Sequence, residues 1–135
     1  MNAIVGRVVK IQQSGSITLV DVDVKGIALS ALMINLSPGS AWIHEGGSIG
    51  VLFKETEVSL GKNVQGMISL RNQLPCTVRS VARGELLTIV TLDFFGLALT
   101  SAITTRSADM LALRPGDAVT AFIKANEITL TERAW

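Results

Sequence analysis

Residues 69–72 read Ser-Leu-Arg-Asn, which places a hydroxyl, a guanidinium and a carboxamide within four positions between two apolar stretches. A plain tether would be richer in Gly, Pro and Ser and would not run straight into "LPCTVRSV". These groups can donate hydrogen bonds to a bound group or satisfy backbone groups in a turn, and neither role makes or breaks a covalent bond. The rest of the composition agrees. With 1 His (His44) and 1 Cys (Cys76), neither a nucleophile–base pair nor a cluster of metal ligands can be assembled, so no catalysis and no directly ligated cation is expected. Net charge is +1 from 12 basic and 11 acidic residues. That gives no broad field to attract nucleic acid or an anionic membrane, so a bound anion must be captured locally.

A single thiol cannot form an intrachain disulfide, which fits a reducing compartment. The opening "MNAIVGRVVK" has no uninterrupted apolar segment of the secretory type, and no 18-residue apolar run is present to cross a membrane. The expectation is a cytoplasmic chain. Its 135 residues make one ordinary domain or two very small ones, and a unit of about 60 residues has only a modest core of its own. Hydrophobic residues reach 48% while aromatics are 4% and Tyr is absent. Small aliphatic side chains of this kind suit tight β-barrel cores.

The elements that must position these donors emerge when the sequence is slid against itself by 70 positions, for the halves then align without a gap from about residue 2 to residue 60. Asn2/Asn72, Thr18/Thr88, Asp23/Asp93, Gly26/Gly96, Ser37/Ser107, Gly46/Gly116, Lys54/Lys124 and Glu57/Glu127 are identical at that offset. Polar, acidic and glycine positions agree as well as apolar ones, which is the mark of duplication. The repeats are read as residues 1–64 and 65–135.

Within each repeat the period is two. "LLTIVTLD" (86–93) is a β-branched run, "LALTSAIT" (97–104) puts Leu97, Leu99, Ser101 and Ile103 on one face, and "AVTAFIK" (118–124) does so with Val119, Ala121 and Ile123. "DFFG" (93–96) and its counterpart "DVKG" (23–26) mark hairpin turns. "RPGD" (114–117) predicts a type II turn, with "HEGG" (44–47) in the same place in the first repeat. "SADMLAL" (107–113) is the one helical segment, with Ser107 expected as its N-cap; "SPGSAWI" (37–43) is expected to make a turn or two at most. Strand, strand, strand, short helix, strand, strand is the order of an all-β, five-stranded OB-type barrel, and the chain carries two in tandem. Of the adjacent Phe94 and Phe95, one is expected in the core and the other against another subunit. Trp42 and Trp135 are read as packing residues.

Residues 69–130 carry Ser-x-Arg-Asn-Gln-Leu-Pro, then Thr-x-x-Ser, Leu-x-Pro-Gly-Asp and Ile-Lys-Ala, in that order. In these motifs the second repeat resembles the Mop or TOBE domain of molybdate- and tungstate-binding proteins, and the whole chain resembles a tandem, di-domain molbindin. The resemblance implies molybdate or tungstate as bound ligand at interfaces between barrels of a homo-oligomer, a trimer of di-domains in preference to a dimer. It also implies the contacts: Ser69 with the backbone N–H groups of Leu70 and Arg71, then the hydroxyls of Thr104 and Ser107, then Lys124 with the N–H of Ala125. Hydroxyls, main-chain N–H groups and one ammonium are enough for a tetrahedral dianion.

The first repeat departs from the pattern. It keeps Ser37 and Lys54 as weaker candidates, but has Met1 opposite Arg71, Ile34 opposite Thr104 and Glu55 opposite Ala125. A carboxylate beside the lysine and a lost hydroxyl predict an empty or much weaker site. Storage, homeostasis or sensing of the oxyanion is the leading functional reading. The alternative is a sensing module cut from a molybdate-responsive transcription regulator or a transport ATPase, although no GxxxxGK[ST] loop is present. Nucleic-acid binding through an OB fold would need stacking aromatics on a basic groove, and the 6 Phe and Trp residues are dispersed.

Overall fold

The computed structural model describes residues 1–36 and 42–132. Ten strands run in chain order: β1 Asn2–Ser14, β2 Ile17–Val24, β3 Ile27–Ile34, β4 Ser48–Phe53, β5 Ser59–Gly61, β6 Asn72–Arg83, β7 Leu87–Phe94, β8 Leu97–Thr104, β9 Ala118–Ile123 and β10 Thr129–Thr131. Among the described residues two short 3-10 turns, Glu55–Glu57 and Ala125–Glu127, and one helix, α1 Thr105–Met110, complete them. Elements of the first repeat recur 70 positions later in the second almost residue for residue, so the gapless offset holds in three dimensions.

The fold is all-β, with two five-stranded sheets of OB type ordered β10-β4-β1-β2-β3 and β5-β9-β6-β7-β8. All pairs are antiparallel. Each sheet borrows its outermost short strand from the other repeat: β10 pairs with β4 and β5 with β9. β1 and β6 each slip register at one place, between Val8 and Lys10 and between Val78 and Ser80. These bulges bend the long strand so that it serves both flanking pairs.

Alternation in the sequence is alternation in burial. β7 and β8 bury Val90, Leu92, Leu99 and Ser101, while Val119, Ala121 and Ile123 do so on β9. The apolar side chains of both repeats join in one continuous cluster, from Ile4 and Val8 through Phe53 to Leu74, Leu92 and Ile123. Two halves too small to enclose a core separately enclose one together.

The hairpins turn where expected, with Lys25–Gly26 and Phe95–Gly96 both at positive φ, the two-residue type I′ form. Arg114 to Asp117 closes with Gly116 at φ 94° and a 3.1 Å bond from the Asp117 N–H to the Arg114 carbonyl. Phe94 is buried and Phe95 stays 55% exposed, packed edge-on to Phe94 at 5.1 Å between ring centres. Trp42 packs against the core. Trp135 and residues 37–41 of the turn expected over 37–43 lie outside the described residues.

One expectation needs correcting. The helix begins at Thr105, two residues before Ser107, and its N-cap is Thr104, whose Oγ1 accepts the Ser107 N–H at 3.1 Å. β8 runs through Thr104, opposite Leu87, so the chain leaves the sheet there and the last hydroxyl of the strand does the capping.

Candidate oxyanion site

The segment that opens the second repeat is anchored by the residue that ends it. Asn72 begins β6 opposite Ile123, so Arg71 on one strand and Lys124 on the other leave the sheet side by side. The Asn72 side chain is fully buried. Its Nδ2 donates to the carbonyls of Ile123 at 2.9 Å and Ser30 at 3.0 Å, and its Oδ1 accepts the Ser30 N–H at 2.7 Å. Gln73 Nε2 donates to the Leu70 carbonyl at 3.0 Å, which fixes the turn just before the strand. Ser69, Arg71 and Lys124 are exposed, Leu70 and Ala125 half-buried.

Arg71 and Ala125 line one groove of about 390 Å³ with Gln12, Leu19, Asp21 and Ser30 of the first repeat. Ala125 is the first residue of a 3-10 turn, a position whose N–H has no partner within the turn. The turn packs against β3. Asp21 accepts the Ser30 hydroxyl at 2.7 Å, so a carboxylate shares the groove with the Arg71 guanidinium. The opening and closing segments of the expected site therefore converge, and the other wall of their groove belongs to the first repeat.

Thr104 and Ser107 stand elsewhere. Thr104 pairs with Leu87, next to the far end of β6 at Arg83. β6 is 12 residues long, and at about 3.3 Å per residue its ends are separated by on the order of 35 Å of strand. Thr104 lines a second cavity of about 580 Å³ with Arg83, Glu85, Leu86, Thr105, Arg106 and Asp109. Its hydroxyl donates to Ser107 Oγ at 2.9 Å, and the Ser107 N–H is used by the cap, which leaves the Ser107 O–H to point a proton outward. Behind them Thr88 and Thr105 hydroxyls meet at 2.8 Å, and Thr105 donates to the Gly84 carbonyl at 2.8 Å. Arg83 grips Asp109 through Nε at 2.9 Å and Nη2 at 2.7 Å, and holds that carboxyl below the ordinary aspartate range.

The first repeat repeats the scaffold with altered chemistry. Asn2 clamps Thr100 of β8 as Asn72 clamps Ser30 of β3, with both bonds at 2.8 Å. Lys54 is exposed, and Glu55 beside it forms an ion pair with the Met1 amino group. Ser37 lies outside the described residues. Near the second repeat's Lys124, the Glu127 carboxyl is raised above the ordinary glutamate range by its hydrogen bond to Glu57, its repeat counterpart, and Lys124 opposes that shift. Burial and Asp93 push the Cys76 thiol up to about 12, which makes it inert at neutral pH. Among the described residues no group of three His, Cys, Asp or Glu side chains is arranged to hold a metal ion, and no helix is long and apolar enough to cross a membrane.

Of the residues that sequence reasoning selected, Arg71 and Ala125 line one groove and Lys124 adjoins Arg71 in register, Ser69 and Leu70 precede Arg71 in the chain, and Thr104 and Ser107 stand apart from them within one chain. That reasoning did not assign Asn72 a function. The signal was present, since Asn2 and Asn72 are identical across the repeats.

Residues 68–130 match the family model described as the TOBE domain. A 70-residue stretch is 44% identical to the molybdenum import ATP-binding protein ModC of Brucella abortus, covering 51% of this chain and 20% of that protein. The chain thus spans one fifth of the length of the curated relatives it matches. Among solved structures, the cytoplasmic molybdate-binding protein ModG with molybdate bound superposes with a TM-score of 0.91 at 27% identity, over 98% of this chain and 96% of that one. A molybdate-binding protein from Sporomusa ovata is 42% identical, over 44% of this chain and 90% of that one, with a TM-score of 0.44. Residues 68–130 are thus a TOBE domain, and the chain shares the fold of ModG from end to end.

Proposed function

We propose that this chain binds molybdate or tungstate as the intact dianion, without catalysis, and serves intracellular storage, homeostasis or sensing of the oxyanion. The observation that carries the reading is the convergence of Arg71 and Ala125 on one groove walled by the other repeat, in a fold that a molybdate-bound relative shares over its full length. Backbone N–H groups at Leu70, Arg71 and Ala125, the Ser69 hydroxyl and the Lys124 ammonium supply donors from two segments. Thr104 and Ser107 complete the set only if a second copy brings them, because one chain keeps them a strand length away. The active form is therefore a homo-oligomer, a trimer of di-domains in preference to a dimer, with the β8–α1 corner of one copy seated on the groove of the next. Exposed Leu86, Leu87 and Met110 beside that corner supply apolar surface for the contact.

The likeness to ModC favours a second reading, a regulatory module that senses the same anion for a transport ATPase. Both readings share the ligand and differ in the assembly. Calorimetric titration with molybdate, tungstate, sulfate and phosphate, beside a mass measurement of the assembly, tests them. Saturable heat with the first two anions and a three-chain mass support the proposal. No heat with either anion overturns it, and binding by a lone or paired chain favours the module.

A further inference from the structure

Three parts of the proposed groove have to keep their spacing: the opening segment at Ser69–Arg71, the closing segment at Lys124–Ala125, and the Ser30 wall contributed by the first repeat. One carboxamide touches all three. Asn72 follows Arg71 directly, donates to the carbonyl of Ile123 just before Lys124, and exchanges two bonds with the backbone of Ser30. Both amide hydrogens and the oxygen are engaged, and the side chain is 0% exposed. Covering the free edge of β3 needs only the two bonds to Ser30. Among the described residues Asn2 makes those two alone, to Thr100. The third bond, to Ile123, has no counterpart there, and it is the one that ties the closing lysine segment to the opening one.

We infer that Asn72 is the positioning residue of the oxyanion groove, setting the distance between its two donor segments and its first-repeat wall without touching the anion. This rests on the proposed oxyanion reading. An amide suits the position because it donates and accepts without charge, whereas a carboxylate there would lose both donated bonds and add a negative charge beside a dianion. The clamp and the anion are then coupled, and the coupling is reciprocal: whatever factor the clamp gives to affinity, the bound anion returns to the clamp.

The test uses the full chain and molybdate as the probe. Asn72→Ala and Asn72→Asp are titrated by calorimetry at a temperature where circular dichroism shows each fully folded. The expected result is an affinity at least about tenfold below wild type, the scale of two or three lost buried hydrogen bonds at a binding surface. A folded variant with wild-type affinity overturns the inference and leaves Asn72 a purely structural clamp. A second measurement needs no variant: amide hydrogen exchange at Ser30 N–H in the wild type is expected to slow about tenfold at saturating molybdate, and unchanged exchange overturns the inference even if both variants fail to fold. Wild-type protein that gives no heat with molybdate overturns the oxyanion reading itself, a result distinct from heat that persists unchanged in the variants.

Discussion

Thr104 and Ser107 stand three positions apart and both carry hydroxyls, yet the structure gives them different duties. Thr104 Oγ1 accepts the Ser107 N–H and so holds the first turn of α1, while the Ser107 hydroxyl has its proton free for another acceptor. Thr104→Ala should therefore cost about 1 kcal/mol of stability through the lost cap. Ser107→Ala should leave stability within about 0.5 kcal/mol and, on the proposed reading, weaken molybdate several-fold. Denaturant melts and calorimetry on the same two variants separate these effects, and a Ser107→Ala protein that binds molybdate normally removes that hydroxyl from the site. Lys124 is the one full cation assigned to the anion, and a charge-assisted bond of its kind makes Lys124→Ala about tenfold weaker in molybdate affinity. Lys54→Ala should change affinity far less, since Glu55 follows that lysine directly and places a carboxylate where the second repeat has Ala125. The sequence displayed the hydroxyl pair but not which member caps. Both satisfy the Ser/Thr preference, and the choice is made by where β8 stops pairing with β7, a tertiary fact.

At the scale of elements, the long strands were legible and the short ones were not. β7, β8 and β9 carry β-branched or alternating runs between turns that need Gly at positive φ, and each lies within a residue or so of where its pattern placed it. β5 and β10 are Ser-Leu-Gly and Thr-Leu-Thr, too short to record which sheet they join, and because the repeats are alike either sheet offers the same seat. The structure seats each in the opposite sheet, so a boundary between residues 64 and 65 cuts through both hydrogen-bonded sheets instead of separating them. A chain of residues 65–135 alone would leave the β9 edge uncovered where β5 now lies, and would carry a β10 with no β4 to join. An exposed edge and an orphan strand of matching shape pair with each other across two copies. The isolated second repeat is therefore expected to sediment as a dimer with β10 exchanged, and to lose folded structure on dilution rather than persist as a monomer. A stable, well-folded monomer in the ultracentrifuge would show that the exchange is not needed for folding.

Across the whole molecule the two repeats are joined by one core, two reciprocal asparagine clamps and two 3-10 turns laid on each other's third strand. The turns bring the carboxyls of Glu57 and Glu127 close enough to interact, and that pairing makes the junction sensitive to pH. Like charges brought together raise a carboxyl's pKa, and Glu127 lies above its ordinary 4.5 because Glu57 hydrogen-bonds to its protonated form and repels its ionised one. The folded state then holds that proton more tightly than the unfolded state does. Stability from the pair is fully present below the ordinary glutamate value and is lost as pH rises through the raised one. Asp93, Asp109 and Asp117 run the other way: Arg79, Arg83 and Lys62 hold them below 3.8, so their contribution is present above that value and is lost as pH falls through their lowered ones. These ion pairs sit at the surface, so their contribution is small and fades with salt. Two opposed windows predict a melting temperature that peaks in mildly acid solution between them and declines on either side. Glu57→Gln removes the repulsion while keeping a donor for Glu127, so it should raise the melting temperature at pH 7 and flatten the decline above the peak, leaving the acid limb unchanged. Melting curves from pH 3 to pH 8 on wild type and variant decide the matter. If the variant melts lower than wild type at pH 7, or if both decline in parallel above the peak, the shared proton is not what links the stability of the junction to pH.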